Sequence, residues 1–151
     1  MLAEKILRDY QEAMRNRDAL KSSVLSFLRA EMMNAAIARK KNTLDDNDVN
    51  AVVRKQIKAR QDSIEQFKLG SRQDLADKEA RELEILKAYL PKELPLDELK
   101  KIIEEAIALS GAKEIKDMGR VMKEVTAKIA GQADPKLVSD LVKEKLSSHP
   151  S

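Results

Sequence analysis

The sequence predicts an all-α protein, multihelical and in two subdomains. Three observations carry that expectation. Apolar residues recur at helical spacing in nearly every segment. Aromatic residues make up only 3% of the 151-residue chain and charged residues 36%, a profile of helices rather than of a β-sandwich. Gly and Pro number four each, and most of them fall between the periodic segments.

The first helix is expected over about Leu2–Arg15, with Leu2, Ile6, Tyr10 and Met14 on its buried face. Asn16-Arg17-Asp18 breaks it, and Asp18 is placed to cap the next helix. That second helix turns Leu20, Val24, Phe27, Leu28 and Ala35 inward and ends in Arg39-Lys40-Lys41. Three cations in a last turn suit the negative end of a helix dipole. Phosphate binding is the functional alternative for the same run.

Asp45 is the expected cap of the third helix, with acids in its first turn. Asp46, Asp48 and Asn50 look superficially like a calcium loop. Such a loop needs glycine at its sixth position and glutamate at its twelfth, and Ala51 and Ile57 stand there. The helix should run to about Leu69, with Gly70 as the C′ residue that closes it, on a stripe of Val49, Val53, Ile57, Ile64 and Phe67. Arg60 interrupts that stripe. The fourth helix, about Arg72–Tyr89, presents Leu75, Leu83, Leu86 and Leu90 with Glu79 and Glu82 among them. A charge in a helix seam must find a partner or reach water. Arg60 is therefore expected to pair with Glu79 or Glu82, with snorkelling to solvent as the alternative.

Pro91 and Pro95 bracket a connector that the fourth helix cannot cross unbroken. It divides residues 1–90 from residues 91–151. Three helices follow. The first carries Leu99, Ile102, Ile103, Ala106 and Ile107 and stops at Gly111. In the second, Met118, Val121, Met122, Val125 and Ile129 form the apolar face, with Lys116, Arg120 and Lys123 opposite. Gly131 closes it. Asp134 caps the third, with Pro135 in the first turn where a missing N–H costs nothing. Leu137, Val138, Leu141, Val142 and Leu146 face inward there, and Lys136 and Lys143 share the polar side. Ser147 to Ser151 are expected to fray.

Much chemistry is excluded by what the chain lacks. There is no Cys, and the one histidine, His149, lies at the end. Zinc sites of Cys and His, and Ser–His or Cys–His catalytic pairs, have no residues to build them. No glycine-rich phosphate loop is present. No catalytic residue, metal or cofactor is therefore expected. Net charge is +3, from 29 basic and 26 acidic groups, so an electrostatic footprint must come from local arrangement. The candidate phosphate contacts are Lys116, Arg120, Lys123, Lys136 and Lys143. Gly119 lies mid-helix at a cost of roughly 1 kcal/mol relative to Ala. It flanks the apolar face, so close approach of a neighbouring helix is its structural reading, and backbone access for a ligand the functional one. Without a signal peptide or an apolar run of membrane-spanning length, the expected location is cytoplasmic.

The run D-M-G-R-V-M-K from Asp117, the turn Gly131-Gln132-Ala133-Asp134 and the following short helix resemble the YqeY-like family. Tyr89-Leu90-Pro91 matches a second signature of that family. The motif positions are thus Tyr89, Leu90, Pro91, Asp117, Met118, Gly119, Gly131, Ala133 and Asp134. Gln132 departs from the pattern, since a basic residue often stands there. The family shares its domain with the tail of the B subunit of the glutamyl/aspartyl-tRNA amidotransferase. The resemblance implies a non-catalytic tRNA-associated module that docks structured RNA through a basic helical face. It also associates the family with carbon–nitrogen ligase activity using glutamine as amido donor. The expected partners are tRNA or a protein of the translation or aminoacylation machinery. The rival readings are a protein-binding helical adaptor, using a groove between the long helices, and an accessory ligase subunit.

Overall fold

The computed structural model describes residues 1–147. Among them are seven α-helices, one 3-10 turn and no strand. The chain divides into two compact units, Met1–Leu90 and Pro91–Ser151. His149 and the rest of the expected frayed tail lie outside the described residues, except Ser147, which is the last residue of the final helix.

The first unit holds α1 (Leu2–Arg15), α2 (Ala19–Ala38), α3 (Asp46–Leu69) and α4 (Gln73–Lys87). α2 packs on the other three, and α3 lies along α4. Ile6, Leu25, Leu28, Val49, Val53 and Leu86 are fully enclosed at the centre. The Asp18 carboxylate caps α2 by accepting the Lys21 N–H at 3.1 Å. Asp45 and Asp48 cap α3 reciprocally, each side chain accepting the other's backbone N–H.

Three of these helices end in the same way. The residue two beyond the last helical one turns left-handed: Arg17 at φ 55°, Lys40 at φ 54° and Ser71 at φ 58°. The next N–H then reaches five residues back, from Asp18 to Ala13 at 2.9 Å, from Lys41 to Ala36 at 2.9 Å and from Arg72 to Phe67 at 2.8 Å. This is the Schellman closure. Gly70 sits one place too early to be its left-handed residue and keeps φ −86°. Ser71 takes the strained position instead.

The sequence reading placed Arg39, Lys40 and Lys41 in the last turn of the second helix. α2 instead ends at Ala38. Arg39 and Lys41 reach across to the buried Asp48, with Lys41 Nζ 2.7 Å from its carboxylate. Their partner is a side chain rather than a dipole. The Lys41 hydrogen bond holds the Asp48 carboxyl below the usual carboxylate range, and Asp48 in turn raises Lys41.

The seam between α3 and α4 contains the expected ion cluster. Arg60 Nη1 lies 3.1 Å from Glu79 and also bonds Glu82, and all three side chains are largely buried. Tyr89 closes the unit. Its ring is buried, Lys5 lies over it, and its hydroxyl donates to Asp9 at 2.6 Å. The motif tyrosine therefore ties the end of the unit back to α1. Some expected core positions are solvent-facing: Met14 and Phe27 are both 56% exposed, while Ala13 and Leu25 take the inner places.

The second unit holds α5 (Leu96–Ser110), the 3-10 turn Ile115–Asp117, α6 (Met118–Ile129) and α7 (Pro135–Ser147). Its core is wholly apolar, built on Leu99, Ile103, Val121, Val125, Val138 and Val142. Gly111 ends α5 at φ 69°, where a side chain would strain the backbone. Leu137, expected inside, is 43% exposed.

Candidate functional site

The candidate surface is the polar side of α6 and α7, and its position follows from where their apolar residues go. Val121, Val125 and Ile129 recur every four residues and are buried, with Met118 and Met122 partly buried against the same core. At about 100° per residue the opposite side of α6 then carries Arg120 and Lys123. On α7 the buried set is Val138, Val142 and Leu146, which leaves Lys136 and Lys143 outward.

The turn between the two helices is tightly specified. Ala130 and Gly131 are both left-handed, at φ 44° and φ 82°. Ala133 is buried beneath the turn. The Asp134 side chain accepts the Lys136 N–H at 3.0 Å and its carbonyl accepts from Val138, so it starts α7 as expected. The Gln132 carbonyl accepts the Leu94 N–H at 2.9 Å. The one motif position that departs from the family pattern thus uses its backbone to hold the connector. Lys145 pairs with Glu104 at 2.8 Å, and that hydrogen bond lowers the Glu104 carboxyl. This ties α7 to α5.

The five candidate cations fall into two groups. Lys116 lies in the 3-10 turn and is 3.2 Å from Glu114. Arg120 is 2.8 Å from Asp117. Asp117 also accepts the backbone N–H groups of Lys113 and Glu114, at 3.1 and 3.3 Å. Its carboxyl is held low first by the Lys113 N–H and then by Arg120. Lys123, Lys136 and Lys143 are exposed, and among the described residues none has an acidic partner. Exposed Asp140 falls between Lys136 and Lys143 on the outer stripe of α7. That stripe is therefore mixed in charge rather than purely basic.

Gly119 corrects another expectation. A methyl group added there meets nothing within 4 Å, so no neighbouring helix demands a glycine. Its backbone is open to solvent, in the first turn of α6. No cluster of metal-ligating side chains exists among the described residues.

The sequence reading did not find the open side of α2. Phe27, Met33 and Ile37 are 56%, 65% and 74% exposed there. The available signal was a helix with apolar residues all round, in a chain otherwise dense in charge.

Several relatives found by comparison with known proteins share one name. A chain of Pyrenophora tritici-repentis called altered inheritance of mitochondria protein 41, mitochondrial, is 33% identical over 93% of this chain and 78% of its own length. The protein of that name from Candida glabrata is 37% identical over 59% of this chain. This chain spans about half, 49%, of that relative's length. The Saccharomyces cerevisiae protein is 28% identical over 84% of this chain and 69% of its own. These names overturn the cytoplasmic expectation. The features behind it do not discriminate: a cysteine-free chain suits any reducing compartment, and among the described residues no helix is long and apolar enough to cross a membrane. The family model described as Yqey-like protein matches residues 3–146, and the chain belongs to the YqeY-like family.

Proposed function

We propose that this protein is a non-catalytic RNA-associated module whose C-terminal unit docks a structured RNA, tRNA above all. The supporting observation is the trio Lys123, Lys136 and Lys143. They are exposed, lack acidic partners among the described residues, and project from two short helices whose other sides are fixed in an apolar core. Rigid helices hold such cations at a set spacing, which suits phosphates of a folded RNA rather than base edges. With so few aromatic residues, stacking on unpaired bases has no platform. Lys116 and Arg120 play a smaller part, because each must leave or share a local carboxylate before it meets phosphate. Open backbone at Gly119 lets the RNA approach the start of α6 closely. The names of the relatives support a mitochondrial setting.

A salt titration of tRNA binding tests this. The log–log slope is expected to fall by roughly 1 for each phosphate contact removed. Reversing Lys123 and Lys143 to Glu together should weaken binding at least about tenfold and flatten the slope. Equal affinity and slope in the reversed variant would overturn the reading. A protein-binding adaptor is the second reading, and one observation favours it: a groove between α2 and α3 stands open, lined by Phe27, Ala38 and Val52 with Glu31, Lys55 and Gln56 among them.

A further inference from the structure

Lysines alone do not choose between nucleic acids. Contacts to phosphate position a duplex and carry no information about its sugar. The outer stripe of α7 holds a third ionised group beside Lys136 and Lys143, and its sign is wrong for a phosphate site. Asp140 lies four residues after Lys136 and three before Lys143. At about 100° per residue the three fall within about 60° of one another. At about 1.5 Å per residue Asp140 stands roughly 6 Å along the axis from the first lysine and roughly 4.5 Å from the second.

The fold makes no use of this carboxylate. Asp140 is exposed and lies beyond the first turn of α7, where aspartate is one of the poorer helix formers. Both lysines are within helical reach, yet among the described residues it pairs with neither. Val138, Val142 and Leu146 are buried on the other side and fix the rotation of α7 about its axis. Asp140 therefore cannot turn away from a surface that both lysines touch.

We propose that Asp140 accepts hydrogen bonds from ribose 2′-hydroxyls, with α7 laid over the minor groove of double-helical RNA and Lys136 and Lys143 on the phosphates at its edges. This rests on the RNA reading above and adds which part of the RNA is recognised. An ionised carboxylate can only accept. The minor groove of an RNA duplex is wide and shallow and displays its 2′-hydroxyls, which are donors. DNA has none, and its A·T pairs offer only acceptors in that groove. The same side chain thus gains a charged hydrogen bond on RNA and meets repulsion on DNA. A group that penalises the wrong partner is a source of specificity that added lysines cannot supply.

The test is competition for labelled tRNA bound to the full chain, by an RNA duplex or by a DNA duplex of the same sequence, at one salt concentration. The RNA duplex should compete at least about tenfold better. In Asp140→Ala that preference should shrink by about tenfold, since RNA loses a charged hydrogen bond and DNA loses a repulsion. Asp140→Asn keeps an acceptor without the charge and should retain part of what Asp140→Ala loses. The position is exposed, so circular dichroism should show unchanged helicity in both variants. Equal preference in wild type and Asp140→Ala overturns the proposal. So does a wild type without preference, tRNA that neither duplex displaces, or an Asp140→Asn chain that loses as much as Asp140→Ala. The RNA reading survives each of these outcomes. A wild-type chain that binds no tRNA at low salt overturns both.

Discussion

The two units of this protein place charge in opposite ways. In the first unit, charged and polar groups lie within or beside the core: Arg60 with Glu79 and Glu82, Arg39 and Lys41 with Asp48, Tyr89 with Asp9. Among the described residues, the buried polar ones, Asp48, Asn50 and Gln56, belong to it. Phe27, Met33 and Ile37 of its α2 are exposed. In the second unit the core is purely aliphatic and the charges stand outside. The difference separates two uses of an ionised side chain. A charge with its partner fixed inside a fold specifies packing and is silent toward ligands. A charge left outside without a partner is available to a phosphate. By this criterion the proposed RNA contact belongs to the second unit.

The largest expected effect breaks the first half of that contrast. Arg60→Leu strands two carboxylates in the α3–α4 seam, and urea unfolding should show a loss of about 3 kcal/mol. Replacing Glu79 and Glu82 with Gln in the same chain should recover most of it. A loss below about 1 kcal/mol in Arg60→Leu would mean that the cluster behaves as surface charge.

Asp48 comes next. Asp48→Ala removes a capping-box member and the partner of Arg39 and Lys41, at a cost of at least about 1 kcal/mol. The pH dependence has a definite sign. The folded-state carboxyl is depressed, so its contribution is present above the ordinary carboxylate value near 3.9 and is lost as pH falls through the lower folded value. Wild-type stability should drop steeply below about pH 4, and Asp48→Ala should flatten that drop.

Tyr89 sharpens the contrast at the other end of the scale. Burial, then the hydrogen bond to Asp9, raises its phenol well above the ordinary value of 10. The unfolded chain therefore loses its proton first as pH rises. Stability should decline from about pH 10 upward. Tyr89→Phe should cost about 1 kcal/mol at neutral pH and reduce the alkaline decline.

The smallest effects are gains. Ser71→Gly relieves a left-handed serine, and a thermal melt should show about 1 kcal/mol of stabilisation. Gly119→Ala meets open space and should gain up to about 1 kcal/mol. If RNA approaches that backbone closely, the same change weakens tRNA binding while it stabilises the fold. Gain without loss of binding would restrict the contact to the lysines.

Particular residues show how much was legible in advance. Asp18, Asp45, Gly111 and Asp134 marked helix boundaries correctly because a cap is a local matter of one side chain and two or three N–H groups. Arg60 announced its seam because a cation inside an apolar stripe has few places to go. Gly70 misled, because closure geometry rather than glycine content chose the left-handed residue. Phe27 misled for a different reason: on a helix with large apolar residues on more than one side, periodicity does not say which side is inner. The candidate cations were readable as outward-facing. Which of them kept acidic partners was only half legible: Asp117 and Arg120 stand at the ordinary i,i+3 spacing, whereas Glu114 reaches Lys116 through a 3-10 turn at a spacing of two, which a regular helix does not bring together.

The sequence alone determined what depends on neighbours along the chain: helical periodicity, caps and the proline-bracketed connector. The tertiary structure decided what depends on neighbours across it. It paired Arg39 and Lys41 with Asp48, left Gly119 in open space, separated free lysines from bound ones, and turned one uncharged side of α2 outward. Local free energies are set by a few consecutive residues. Burial and ion pairing are set by which helices meet, and no stretch of residues carries that by itself.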